Sequence, residues 1–313
     1  MTRFKVAEDS MRPALSPGQE ILATDSRRPV VGEMVVFPHP IRDDFWMVKR
    51  SAAPPEPLGS GQIWVLSDNA DATMADSRTL GPIEVETAMT VVEYLDAATF
   101  AEACAMLGEE DESLAQAIDS HGVPDFWNRS PGFACLTLLI LEQQVSLESG
   151  AAVYRRLSDA ARGVTPETIA ALGLDGMRSA GTTRQKAGYL MGLAEKELSG
   201  EFDTDALGDE PWPVARERLL SLKGIGPWTA DAYLLSALRI PDMWPVGDRA
   251  LQVGAAEVVG LSSIPDEEEL EIIAEPWRPA RAVAARVIWH SYLSVRGRVE
   301  PPNPTEHRPI ESA

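Results

Sequence analysis

Apolar and polar positions change rhythm once along this chain. Up to about residue 95, short apolar or alternating runs (Glu20–Thr24, Met34–Phe37, Phe45–Val48, Ile63–Leu66 and Thr90–Tyr94) are separated by Pro, Gly and Asp turns. That is the pattern of a β-rich segment. From about residue 96, apolar residues recur at spacings of three and four in Phe133–Leu141, Ala151–Leu157, Ala187–Leu198, Ala230–Leu238 and Val283–Val295. These predict helices joined by short Gly- or Pro-bearing links. The chain therefore reads as multidomain: a β-rich domain over 1–97, an all-α domain over 98–300, and a polar, proline-bearing tail over 301–313. No internal repeat is visible.

Composition changes this picture little. The 313 residues are 44% hydrophobic and 24% charged, as in ordinary globular proteins. No stretch approaches the roughly 18 apolar residues needed to cross a bilayer. Met1 to Arg12 is charged throughout, with no apolar core of a secretory signal, so the cytoplasm is the expected location and no membrane partner is expected. Two cysteines, Cys104 and Cys135, are too few for a disulfide framework or a four-ligand zinc site.

Charge raises a real conflict. The net charge is −20, whereas nucleic-acid binding draws much of its affinity from Lys and Arg on phosphates. Residues 96–313 hold 19 Lys/Arg against 34 Asp/Glu, and are the more acidic part. Runs such as Glu109–Glu112 and Asp266–Glu269 fit solvated faces. A DNA contact in this half must lean on backbone amides.

One segment offers such amides. In Leu222-Lys223-Gly224-Ile225-Gly226-Pro227-Trp228-Thr229, an apolar helix end meets two glycines, then proline at the first position of a new helix. The first N–H groups of that helix lack internal acceptors and suit a phosphate. Twenty residues on, Pro245-Val246-Gly247-Asp248 turns into another amphipathic helix. An Asp there is ordinarily an N-cap.

Together these residues resemble the helix-hairpin-helix DNA glycosylase superfamily, and within it the 3-methyladenine DNA glycosylase II branch. Three further segments carry the resemblance: Glu142-Gln143-Gln144-Val145-Ser146, Gly181-Thr182-Thr183-Arg184-Gln185-Lys186-Ala187, and Trp277-Arg278-Pro279-Ala280-Arg281 followed by Ala284 and Trp289. The resemblance spans roughly residues 100–295. It implies that Asp248 is the catalytic carboxylate and that double-stranded DNA with alkylated bases is the partner. The segment containing Gln143 would enter the minor groove, with Gln144 at the wedge position where some relatives carry an apolar residue. Lys223, Gly224, Ile225, Gly226, Trp228 and Thr229 would grip the backbone. Arg184 and Lys186, with Arg178 nearby, are candidate phosphate contacts.

The implied chemistry is simple. A duplex base must be flipped out before it is cut. N-alkylated purines are already cationic and leave without a dedicated acid, while a carboxylate stabilises the oxocarbenium-like sugar and orients water. A cationic base favours aromatic faces; Trp228, Tyr233 and Trp277 are candidate pocket walls, each equally well explained as core. Relatives that also cut the strand carry a Lys in the hairpin helix as Schiff-base nucleophile. Trp228 stands there instead, which implies a monofunctional enzyme. No cysteine follows Asp248, so no iron–sulfur cluster or other cofactor is expected.

The first domain has its own motif. Ser10-Met11-Arg12-Pro13-Ala14-Leu15-Ser16-Pro17-Gly18, Val48-Lys49-Arg50, Ser67-Asp68-Asn69 and Asp76-Ser77-Arg78-Thr79-Leu80-Gly81 resemble the signal peptidase I and LexA-like serine proteases, the short form being similar to nickel superoxide dismutase maturation proteases. Ser67 replaces the family's Gly. The resemblance implies a β-rich peptidase fold, a Ser10–Lys49 dyad whose Lys is desolvated enough to be neutral, and a peptide substrate. Two other readings compete with excision: a serine peptidase acting on a partner or on itself, its helical domain a DNA-binding module, or a helical domain that binds damage without excising it.

Overall fold

The computed structural model describes residues 1–127 and 129–305; of the expected tail, residues 306–313 lie outside the described part. The chain divides into two compact units, one of residues 1–106 with 278–280, the other of 107–277 with 281 onward.

The first unit is built on strands β1 Thr2–Lys5, β2 Glu20–Thr24, β3 Met34–Pro38, β4 Trp46–Ala52, β5 Gln62–Leu66, β6 Ile83–Glu84 and β7 Met89–Val91. They form one antiparallel sheet in the order β1-β2-β7-β3-β4-β5-β6. The continuous apolar run Met34–Phe37 is explained by burial on both faces, since successive strand residues point to opposite sides. Met34 and Val36 pack with Met11, Leu15 and Ile21; Val35 and Phe37 pack with Met47, Val65 and Ile83. A short helix, α1 Ser77–Leu80, follows β5 and is capped by Asp76.

α2 Ala97–Glu110 starts six residues after β7 ends, close to the expected boundary at 97/98, although the first unit takes in most of α2.

The second unit is helical: α3 Glu112–His121, α4 Phe133–Glu142, α5 Leu147–Ala161, α6 Pro166–Ser179, α7 Arg184–Ser199, α8 Trp212–Leu220, α9 Pro227–Ser236, α10 Arg249–Val259, α11 Glu267–Ala274 and α12 Arg281–Val295. α4 is apolar nearly all round and almost wholly buried, as such a helix must be; it packs against α5, α7 and α9. α12 is buried over most of its first half and packs against α3 and α10.

Most of the two acidic runs sits at helix starts, while Glu109 and Glu110 form the exposed end of α2. Asp111 caps α3, and Asp266 with Glu269 forms a capping box on α11, whose first turn is Glu267–Glu269. Carboxylates there satisfy free amides and suit the positive end of the helix dipole. No helix among the described residues is long and apolar enough to cross a membrane.

Candidate functional site

In the helical unit, α8 and α9 form the two arms of the hairpin, joined through Ser221–Gly226. Gly224 has φ +94°, and a Cβ there would lie 2.3 Å from the Tyr189 ring. Only glycine permits both that backbone and that approach. Ile225 is buried and its N–H donates to Leu222 O, anchoring the turn. Gly226 and Lys223 are exposed. At the start of α9 the first amides, Trp228 and Thr229, point out of the helix end without intrahelical acceptors.

Asp248 is the N-cap of α10, reached through the turn at Gly247, where φ is +83°. Its Oδ1 accepts the Leu251 amide at 2.7 Å and the indole N–H of Trp289 at 3.1 Å. Its Oδ2 accepts the indole N–H of Trp228 at 2.8 Å. Three helices thus converge on one half-buried carboxylate: its own, α9 through Trp228, and α12 through Trp289. The Trp289 ring packs against Trp127, with centroids 4.9 Å apart and planes tilted by 37°. Trp127 lies beneath the Arg286 guanidinium at 4.5 Å and donates to Glu300.

The expected site residues divide accordingly. The structure brings Trp228 to Asp248. Tyr233 is instead fully buried, its hydroxyl accepting the Gly132 amide. Trp277 is 2% exposed, donates to Asp111 and packs on Trp244. Both serve the core, because the polar atom of each is already satisfied inside it. Trp289 joins Trp228 at the carboxylate, a pocket role that the sequence signature containing it does not reveal. Its signal was weak: a large aromatic where a helix of mainly small and aliphatic residues, Ala282–Ile288, passes from buried to half-buried.

Among the expected DNA contacts, Arg184, Lys223 and Gln144 are exposed. Gln143 is engaged internally, its Nε2 donating to Gly224 O and Thr229 Oγ1 at 2.9 Å each. Thr229 is 2% exposed. Lys186 is half-buried and its Nζ donates to Leu141 O and Gln143 O at 2.7 Å.

The sheet unit holds a second constellation. Ser10 lies in a tight turn, Asp9–Met11, and Lys49 on β4. Lys49 Nζ donates to Ser10 Oγ at 2.8 Å, and the two residues are 3% and 9% exposed. Desolvation pushes the Lys49 ammonium below its ordinary pKa, opposed in part by the charges of Asp76, Glu8 and Asp68. The remaining motif segments brace this pair. Asn69 donates its amide to Ser10 O and its side chain to Asp9 O, Arg50 pairs with Asp68, and the Ser77 hydroxyl accepts Val65 N–H. Burial works to raise the Asp76 carboxyl, but donors from Arg78 and the amides of Ser67 and Arg78 outweigh it and hold the group at about 2.

Comparison with known proteins bears on the helical unit. Residues 138–279 match the model of the HhH-GPD superfamily base excision DNA repair proteins. A DNA-3-methyladenine glycosylase of Bacillus subtilis is 30% identical over 107 residues, covering 34% of this chain and 35% of that protein. An alkylbase DNA glycosidase-like protein of Schizosaccharomyces pombe is 29% identical over 129 residues, covering 40% of this chain and 59% of the relative. The chain thus spans about a third to three fifths of these two curated relatives. The solved 3-methyladenine DNA glycosylase of Schizosaccharomyces pombe in complex with abasic DNA superposes with a TM-score of 0.56 at 25% identity, over 60% of this chain and 95% of that one. The helical part of the chain has the HhH-GPD glycosylase fold of base excision DNA repair proteins.

Proposed function

We propose that the helical domain is a monofunctional DNA glycosylase that excises alkylated purines of the 3-methyladenine type by hydrolysis. The observation that carries this reading is Asp248, held from both oxygens by Trp228, Trp289 and the Leu251 amide. A carboxylate fixed in this way needs little reorganisation to stabilise an oxocarbenium-like sugar, and it can orient water toward the anomeric carbon. The indole faces of Trp228 and Trp289 offer electron-rich surfaces to a cationic base. The hairpin residue beside the carboxylate is Trp228, which has no amine for a Schiff base, so hydrolysis leaves the strand uncut. The test is release of free 3-methyladenine from methylated duplex DNA by the purified chain. Release by Asp248→Asn as fast as by wild type would overturn the mechanism.

A separate observation supports a second activity in the sheet domain. The buried 2.8 Å bond between Lys49 and Ser10 is the geometry in which a neutral Lys could take the serine proton during attack on a peptide carbonyl. We infer a Ser10–Lys49 peptidase there. It is tested by cleavage of candidate peptides, or of the chain itself, by wild type against Ser10→Ala. Equal behaviour would leave this domain with a binding or structural role.

A further inference from the structure

The turn between α4 and α5 is held more tightly than its length requires. α4 ends on Glu142, and its last turn contains no basic residue. A helix C-terminus has unpaired carbonyls and the negative end of the dipole, so a terminal Glu is doubly unfavourable there. Cations from elsewhere in the fold answer each problem. Arg129 donates to both Glu142 oxygens, at 3.0 and 3.3 Å. Lys186, from the first turn of α7, takes Leu141 O and Gln143 O at 2.7 Å each. Desolvation lowers the Lys186 pKa, while Glu142 acts to raise it.

The next residues are pinned as well. Gln143 is tied to the hairpin through Gly224 O and Thr229 Oγ1. Ser146 caps α5. On the other side Gly150 brings α5 so close that a Cβ would sit 2.7 Å from Glu142 Cγ. Between these anchors Gln144 stands exposed, with φ +58°, and Val145 is 48% exposed. A left-handed non-glycine backbone is strained and persists only where its surroundings impose it.

We propose that Lys186 is a positioning residue that stiffens this turn for insertion into the base stack, rather than a phosphate contact. The inference rests on the glycosylase reading above. Extruding a paired base from the stack costs free energy, and a turn that yields under that load transmits less of it to the DNA. Two of the three ammonium donors are already spent on carbonyls, so a phosphate contact would compete with the brace.

The experiment compares wild type, Lys186→Met and Gln143→Ala on two methylated substrates, one fully paired and one with the lesion in an unpaired bubble. It adds the salt dependence of binding to the paired duplex. Loss of a charged carbonyl contact weakens insertion by about tenfold. The ratio of bubble to duplex excision rates is therefore expected to rise about tenfold for Lys186→Met and to rise for Gln143→Ala. The slope of log affinity against log salt stays at the wild-type value for Lys186→Met.

Equal slowing on both substrates, with a slope reduced by about 0.9, is the signature of a lost phosphate contact and overturns the proposal. If Lys186→Met does not fold, Lys186→Gln, which keeps a polar side chain but removes the ammonium, decides by the same ratio and slope: an unchanged ratio overturns the proposal. If wild type releases base from neither substrate, the glycosylase reading itself fails, and that outcome is distinct from the others.

Discussion

Asp248 and Lys49 are both held by short hydrogen bonds, but in opposite electrostatic settings. Asp248 is half-buried at a helix N-terminus, ringed by two indole N–H groups and an amide, so every neighbour contributes positive partial charge. Lys49 is 3% exposed and faces a serine hydroxyl, with apolar strand neighbours that oppose its charge. The first arrangement suits a group that acts as an anion, and the second a group that must be neutral to act. Comparing them gives a physical criterion for each function that does not depend on motif spelling.

The largest effect expected is at Asp248. Asn caps a helix about as well as Asp, so Asp248→Asn keeps the Leu251 cap on its amide oxygen but removes the charge and, at the former Oδ2, the acceptor for the Trp228 indole. Base release is expected to fall by about 10²–10⁴-fold, well beyond what the loss of one indole hydrogen bond accounts for. Asp248→Ala loses the cap too, and should show an added destabilisation of about 1 kcal/mol in denaturant melts. Activity lost only in step with stability would reduce Asp248 to a cap.

Much of this contrast was legible in the sequence. The hairpin, the Asp248 turn and the Ser10 and Lys49 motifs are local patterns, in which glycine, proline and capping chemistry act over a few residues. Helical periodicity separated the domains for the same reason. What was not legible depends on long-range packing. Trp289 reaches Asp248 across 41 residues, while Tyr233 and Trp277 read equally well as walls or as core, and only the bonds of their polar atoms to Gly132 and Asp111 put them in the core. Lys186 and Arg184 lie two residues apart, yet one braces carbonyls and the other is exposed. Sequence gives the helix, not which neighbour its face meets.

A smaller effect is expected from the indoles. Trp289→Phe and Trp228→Phe keep an aromatic ring and remove one donor from the carboxylate. Each should slow single-turnover excision by about tenfold, the scale of one hydrogen bond to a charged group. If both are silent, the carboxylate is oriented by the Leu251 amide alone.

The sheet domain carries a pH dependence of stability at Lys49. The Lys49 pKa is lowered in the folded state, so the unfolded chain binds more protons between the folded and unfolded values. Stability then rises with pH through that window, approaching the ordinary Lys value of about 10.4. Lys49→Met removes this dependence. Hydrogen exchange at the β4 amides, wild type minus variant, is expected to show relative protection growing as pH rises. A flat difference would mean that burial imposes no net cost on the ammonium. Peptide cleavage by Ser10 should increase in the same direction.

The smallest effect concerns the grip on DNA and separates amide contacts from cation contacts within one unit. Residues 96–313 carry fifteen more acidic than basic side chains, so few cations are available to displace counterions. If the hairpin amides hold the backbone, the wild-type salt slope should be shallow. Neutralising either exposed cation, by Lys223→Gln or Arg184→Gln, should reduce it by about 0.9, roughly a threefold change in affinity over a fourfold rise in salt. Gly224→Ala acts on the other component. Its Cβ meets the Tyr189 ring and its backbone is left-handed, so the hairpin must shift while no charge changes. Affinity should therefore fall at every salt concentration with the slope unaltered. A slope that fell with Gly224→Ala would show that the glycine turn merely presents Lys223, and that cations carry the grip despite the acidic balance.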